Sequence, residues 1–278
     1  TMMNLFDILL IDPILNLLIV FYGLLNAANI PGSLGLAIIT LTVIIRLALW
    51  PLTAAQLKSS KKMAELKPHL QKIKEVHGKD KVRHQQEVSR LYKEHGVNPL
   101  SGCLPLLLQM PIFIALYQVL LKFVNLTNGD LLAGINQKIY IASLRLQEIP
   151  STNFFGLNLS TKPNEWSTAG FYLLAIPLIT GALQFVQSKM LIADEKKPVQ
   201  KLQKKKTEEK ASMEDSMAQM QSQMVIIMPA MIAFFAYGFP VGLALYWNTF
   251  TIIGIIQQYK IMGAGSINKY LPSKWKTN

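Results

Sequence analysis

Cysteine is nearly missing from this chain of 278 residues. Cys103 stands alone, which excludes an internal disulfide framework and leaves a packed apolar thiol as its plain reading. Acidic residues are scarce, with 16 Asp and Glu against 28 Lys and Arg. None of the acids falls between residues 33 and 56, 99 and 124, 169 and 190, or 223 and 260, and residues 1–33 carry Asp7 and Asp12 but no Lys or Arg. Enzyme signatures are missing as well. The four histidines, His69, His77, His84 and His95, make no His-Glu-x-x-His pattern, and Cys103 has no cysteine partner. No phosphate loop, dinucleotide fingerprint or serine elbow occurs, so neither a metal, a cofactor nor covalent chemistry is expected. The short-period alternation of a soluble domain is also lacking.

Long apolar runs are present instead. Hydrophobic residues make up 51% of the chain, and five stretches have the length and polarity of membrane spans: 33–56, 99–124, 169–190, 223–239 and 240–260. The expected class is an all-α membrane protein with five transmembrane helices. The net charge of +12 sits in blocks. Eleven Lys and Arg lie in 56–98, eight in 188–222 and four after Tyr259, leaving Arg46, Lys122, Lys138, Arg145 and Lys162 elsewhere. Lys/Arg-rich short loops stay in the cytoplasm. That places 57–98, 191–222 and the tail 261–278 inside, 125–168 outside, the N-terminus out and the C-terminus in.

Residues 1–32 contain an apolar run from 8 to 29. Asp12, Asn16, Gly23 and Asn26 share one helical face, which suggests an amphipathic helix in the outer interface, with spanning as the open alternative. Asn29–Gly32 reads as a turn. Thr1 before Met2 reads as an added residue, and no h-region with a cleavage site follows, so no removable signal peptide is expected. Residues 57–98 read as a helical hairpin. Met63, Leu66, Leu70, Ile73 and Val76 form a thin stripe, Gly78–Asp80 a break, and His95-Gly96 a stop. Its histidines read as solvated. The outer loop 125–168 has room for a short strand pair, and 191–210 is of low complexity.

Arg46 is the one charge between Leu34 and Leu52. A guanidinium there cannot shed its proton, and mid-span burial costs a few kcal/mol on insertion scales and about 10 or more on an isolated helix. Snorkelling is one resolution, but Arg46 lies well inside the run, so a water-filled cavity is the better one. Such a cavity needs polar walls. Thr42 lies one turn before Arg46, Gln109 in span two, Gln184 and Gln187 in span three, and Tyr246, Trp247, Asn248 and Gln257 in span five. Each taken singly also fits an interhelical hydrogen bond. Met213, Met217, Met220, Met224, Met228 and Met231 share a helical face. It suits packing, or a soft surface for varied apolar segments.

Three runs carry a family resemblance: "IITLTVIIRLALWPLTAAQLKSSKKMAELKPHLQKIKEVHG", "LYKEHGVNPLSGCLPLLLQMPIFIALY" and "FPVGLALYWNTFTIIGIIQQ". They resemble the YidC/Oxa/Alb family of membrane protein insertases, over nearly the whole chain after Gly32. Without the large periplasmic domain of Gram-negative members, the chain is similar to the compact bacterial form. The resemblance implies a five-helix core with a groove open to cytoplasm and lipid. It matches Arg46 to the groove arginine, Gln187 and Trp247 to groove-lining positions, and Thr42 and Tyr246 to positions near the substrate path. It also matches the hairpin to a mobile region of substrate capture, and 1–32 to the outer interfacial helix. The partners it implies are nascent membrane proteins and the lipid of a bacterial plasma (inner) membrane. Ribosome contact through the loops and tail and association with the Sec translocon are further implied. The expected activity is insertion of short-tailed membrane proteins without nucleotide hydrolysis. A solute transporter and a passive assembly scaffold are the rivals. No inverted repeat or intramembrane acid favours the former. The basic tail suits membrane-surface charge more simply than ribosomal RNA.

Overall fold

A computed structural model describes residues 5–78, 80–97, 104–124, 126, 129–191 and 213–270. Cys103, the loop 192–212 and the tail 271–278 lie outside the described residues, as do the side chains of Met213, Met217, Met220 and Met224. The chain is mainly helical and divides into two compact bodies. One is formed by Thr1–Leu49, Leu106–Leu183 and Met231–Ile253, the other by Trp50–Pro105, Gln184–Ala230 and Gly254–Asn278.

In the first body, a π-helical turn, Asp7–Ile11, leads into α1, Asp12–Ala27. Pro13 sits in the first turn of α1, where its missing N–H removes no helix bond. The continuous helix Asp7–Ala27 is long and apolar enough to cross a membrane. Ile14, Leu15, Leu18 and Ile19 are buried, while Ile8, Leu9 and Leu24 are each about 60% exposed or more. The turn at Asn29–Gly32 is present, with positive φ at both ends. Gly32 caps α2, Ser33–Ala48.

The stretch expected as one span, 33–56, is not one helix. The last backbone bond closing α2 runs from Leu49 N–H to the Ile45 carbonyl. A new helix, α3, begins at Trp50 and runs to His77. Pro51 is the reason: it has no N–H for the Leu47 carbonyl, and its ring clashes with that carbonyl in a continuous helix. The first hairpin helix therefore begins at Trp50 rather than after Gln56.

α5, Leu104–Val124, supplies Ala115, Leu116, Val119, Leu120 and Phe123 to the core of the first body. Ile38 and Leu41 of α2 and Val241, Leu243 and Tyr246 of α10 (Val241–Met262) belong to the same core. The segment after α5 contributes Leu126, Ile135, Ile139, Leu146, Leu159 and Leu173. It contains α6, Gly129–Asn136, and a two-stranded antiparallel pair, β1 (Asn153–Phe154) and β2 (Leu157–Asn158). Phe155 and Gly156 both have positive φ, 49° and 89°, as a tight hairpin turn of the right twist requires. α7, Trp166–Ala169, follows. The carbonyls of Leu159 and Thr161 accept the Gly242 and Val241 N–H groups, each at 2.9 Å, which satisfies two orphan donors at the start of α10.

Phe154 packs on α2 because Gly35 has no side chain there. A Cβ at Gly35 would overlap the Phe154 ring. Gly35→Val is expected to destabilise the first body by about 1–3 kcal/mol through overpacking. Phe154→Ala in the same background should recover part of that loss. Thermal unfolding in detergent reads both, and additive losses would contradict this contact.

In the second body, α3 and α4 (Lys81–Glu94) form the expected hairpin. Asp80 caps α4, its carboxylate accepting the Val82 and Arg83 N–H groups at 3.1 Å. Gly96, at φ 61°, ends it, and Val97 N–H returns to the Tyr92 carbonyl. The stripe is thin, as its sequence suggested: Leu66 is buried, Leu70 and Ile73 are half-buried, and Val76 is 72% exposed. His84 differs from the solvated reading, being only 7% exposed. α8 (Ala175–Met190) and α9 (Met213–Gly238) complete the chain's long helices.

Candidate functional site

Arg46 is 6% exposed, on the last turn of α2. One residue of α10 meets it twice. The Phe250 carbonyl accepts from Nε at 3.2 Å and from Nη2 at 3.1 Å. The guanidinium carbon also lies 3.5 Å from the centre of the Phe250 ring. That carbonyl has a second lone pair beyond its helix bond, and the ring face attracts a cation. Arg suits this grip because its plane stacks while its fork donates, which a lysine cannot reproduce.

A second group joins α10 to α5. Gln109 of α5 donates from Nε2 to the Tyr246 hydroxyl at 2.8 Å. Tyr246 is 1% exposed, and its ring lies 5.9 Å from that of Phe250, one helical turn on. Trp247 meets the Phe113 ring edge-on at 5.1 Å. Thr42 is fully buried, and its hydroxyl donates to the Ile38 carbonyl at 2.6 Å. Its one donor is thus used within its own helix. Two further atoms of α10, Asn248 Oδ1 and Thr251 Oγ1, are buried without a hydrogen-bond partner among the described residues. Such atoms are ordinarily met by water.

Six of the nine residues singled out in the sequence therefore fall in the first body, Thr42, Arg46, Gln109, Tyr246, Trp247 and Asn248, while Gln257 falls in the second. Gln184 and Gln187 belong to the second. Gln184 is 9% exposed, with its amide nitrogen 4.0 Å from Met228 Sδ, and Gln187 is half-buried. Sequence reasoning missed Phe250 and Phe113, which look like ordinary apolar span residues. The available signal was the spacing of Tyr246 and Phe250, four apart on one face.

Sequence reasoning also missed a polar lock on α1. Asn16 donates to the Lys138 carbonyl at 2.9 Å and accepts from the Tyr140 N–H at 2.8 Å. Lys138 in turn reaches Asp12 at 3.2 Å and Asp7 at 3.4 Å. Burial is the largest single influence on the Lys138 ammonium and works to lower its pKa. The hydrogen bonds and charges of Asp12, then Asp7, together outweigh it, and the pKa is raised. A lysine raised in this way contributes fully below its ordinary pKa and loses the contribution as pH climbs past the raised value. The lock is therefore at full strength on the lysine side at neutral pH.

Apolar helices with leucine- and phenylalanine-rich exposed faces, around a core that buries an arginine, define an α-helical membrane protein. The sequence model of the 60Kd inner membrane protein family matches residues 26–268, and the chain belongs to that family. The membrane protein insertase YidC of Thiobacillus denitrificans is 34% identical over 242 residues, covering 87% of this chain and 35% of that protein. YidC of Vibrio cholerae is 37% identical over 233 residues, 84% of this chain and 34% of that one. The chain thus spans about a third of the length of these curated relatives. A crystal structure of an active YidC insertase with its first transmembrane domain resolved is similar with a TM-score of 0.51 and 29% identity. That likeness covers 86% of this chain and 45% of the other.

Proposed function

We propose that this chain inserts short-tailed membrane proteins through a hydrophilic groove open to cytoplasm and lipid, and helps them fold. The observation that carries the reading is Arg46, a permanent cation held in an apolar core by one carbonyl and one ring face. The five apolar runs contain no Asp or Glu, and a fixed cation attracts an acidic tail most strongly where the dielectric is low. The buried Asn248 and Thr251 oxygens support hydration of this region. A wet half-groove shortens the dry path for the polar end of a substrate, which is the expensive part of crossing. The apolar segment then partitions into lipid, driven by its own burial. No covalent step or nucleotide is needed. Gln109, Tyr246 and Trp247 of the first body would line the path; Gln184 and Gln187 belong to the second body and are proposed as groove residues on sequence grounds, Gln187 on the family resemblance. Thr42 would only shape it, given where its hydroxyl is bonded. Ribosome contact through the basic loops and tail, and association with a Sec translocon, complete the proposed partners.

The proposed topology has five spans, N-terminus out and C-terminus in, with α1 in the outer interface. Length and composition alone would let Asp7–Ala27 span. Its contacts support the interface instead. Asn16 bonds residues 138 and 140, Gly23 faces Leu144, and Gly32 faces Phe154. Asn16 and Gly23 of α1, and the cap of the helix after it, thus meet one charged, irregular segment, which cannot itself lie in hydrocarbon. A single cysteine at Leu5, in a Cys103→Ser background, should label with an impermeant maleimide from outside. Labelling from the cytoplasmic side only would establish spanning.

Function itself is tested with purified chain in liposomes and a short-tailed reporter carrying an acidic translocated tail. Protease protection should appear faster than in protein-free liposomes, with photocrosslinks from positions 46 and 247 to the reporter. Equal rates with and without the chain would refute the reading and leave a passive scaffold.

A further inference from the structure

One helix ends at Ala48 and α3 begins at Trp50, where Pro51 has no N–H for the Leu47 carbonyl. Contacts beyond the helix's own backbone therefore bear on how the root of the hairpin is held. Within the second body, the first turn of α3 presents the Trp50 carbonyl and the Thr53 hydroxyl, which donates to that carbonyl at 3.1 Å. The last turns of α10 answer with Gln257, which is fully buried. Its Nε2 donates to Thr53 Oγ1 and lies 3.5 Å from the Trp50 carbonyl. One turn further on, the Lys260 ammonium lies 6.0 Å from the Trp50 ring centre.

We infer that Gln257 is a positioning residue that pins the root of the cytoplasmic hairpin through Thr53 and Trp50. The inference rests on the proposed function for its link to substrate capture. A buried neutral amide is an expensive choice where an apolar side chain would pack, unless its hydrogen bonds do something packing cannot. Hydrogen bonds set direction, and they exchange with water at little net loss. Gln258 Nε2 and Gln56 Nε2 are also buried and without a hydrogen-bond partner among the described residues. They adjoin Gln257 and Thr53 along their helices, and such atoms are ordinarily met by water. The root is therefore held in one orientation yet releasable, a combination that a leucine contact does not offer. The hairpin above it has only a thin apolar stripe to orient it otherwise.

The test uses the full chain in lipid nanodiscs and compares Gln257→Leu, Thr53→Val, the double variant and Thr53→Ser. Hydrogen exchange is read at the amides of residues 53–60. Each of the first two variants should raise local exchange about fivefold, the value of one lost hydrogen bond. The double variant should exceed neither single by much, because both remove one shared interaction. Thr53→Ser keeps the hydroxyl and should match the wild type. Thr53→Val is nearly isosteric and carries the test should Gln257→Leu fail to fold. Unchanged exchange at 53–60, or additive effects, would overturn the pin, whatever the chain's activity. In the insertion assay, the reporter concentration at half-maximal rate should rise while the maximal rate holds. An unchanged half-saturation would overturn the link to capture. A wild type without insertion would count against the proposed function and leave the exchange result standing.

Discussion

Arg46→Ala is expected to slow insertion of a reporter with an acidic translocated tail by about a hundredfold, and of a neutral-tailed reporter far less. At a separation of about 6 Å and an effective dielectric near 20, one charge pair is worth about 3 kcal/mol, or roughly two decades in rate. Arg46→Lys retains the charge but loses the stacked fork on Phe250, so an intermediate rate is expected. Phe250→Leu separates the two contributions. It leaves the cation and a carbonyl but removes the ring face, and should resemble Arg46→Lys more than Arg46→Ala. Initial rates of protease protection in liposomes, taken at low and high salt, make the comparison. A buried charge is screened little by salt, so the acidic-tail preference should persist at high salt. Equal rates for the three proteins on the acidic reporter would remove Arg46 from the mechanism.

Asn16→Leu should produce the largest loss of stability in the first body, about 2–4 kcal/mol. The leucine fits an apolar neighbourhood, but it abandons the Lys138 carbonyl and the Tyr140 N–H that Asn16 serves at 2.9 and 2.8 Å. Leaving a buried donor or acceptor unmet costs about 1–3 kcal/mol each, reduced where water reaches the outer face. Asn16→Asp keeps the acceptor for Tyr140 and loses the donor to Lys138, so it should fall between. Asn26→Leu, at an exposed position of the same helix, is the control and should stay within about 0.5 kcal/mol. Denaturant unfolding in detergent gives the magnitudes. A loss for Asn16→Leu no greater than the control's would show that α1 is held by apolar contact alone.

Much of this was legible in the chain. Gly78–Asp80 as a break, His95-Gly96 as a stop and Asn29–Gly32 as a turn depend on residues whose backbone preferences act locally. The strand pair at Asn153–Asn158 was legible as a possibility, though not its Phe155-Gly156 turn, where Phe155 takes a positive φ that its side chain disfavours. Pro51 lies near the inner end of the run 33–56, and its effect there comes from its missing N–H. It is where one helix stops and another begins. The partners of polar side chains were not legible at all. Asn16 and Asp12 were placed on one face of α1, as if toward water, yet they meet Lys138 and Tyr140 from a segment more than a hundred residues away. Phe250 gave only its spacing from Tyr246, because a ring that stacks on a cation looks in sequence like one that packs in a core.

From its order of residues alone, this protein has apolar lengths that suit a bilayer, charge blocks set apart from them, and an arginine needing company in oil. These follow from transfer free energies, which are properties of each residue and its near neighbours. Tertiary structure alone decided which carbonyl and which ring hold Arg46, and which amide pins the hairpin's root. It likewise decided what consumes the polar face of α1. Hydrogen bonds and ring contacts are short-ranged and directional, so they depend on which distant atoms packing brings within about 3–4 Å.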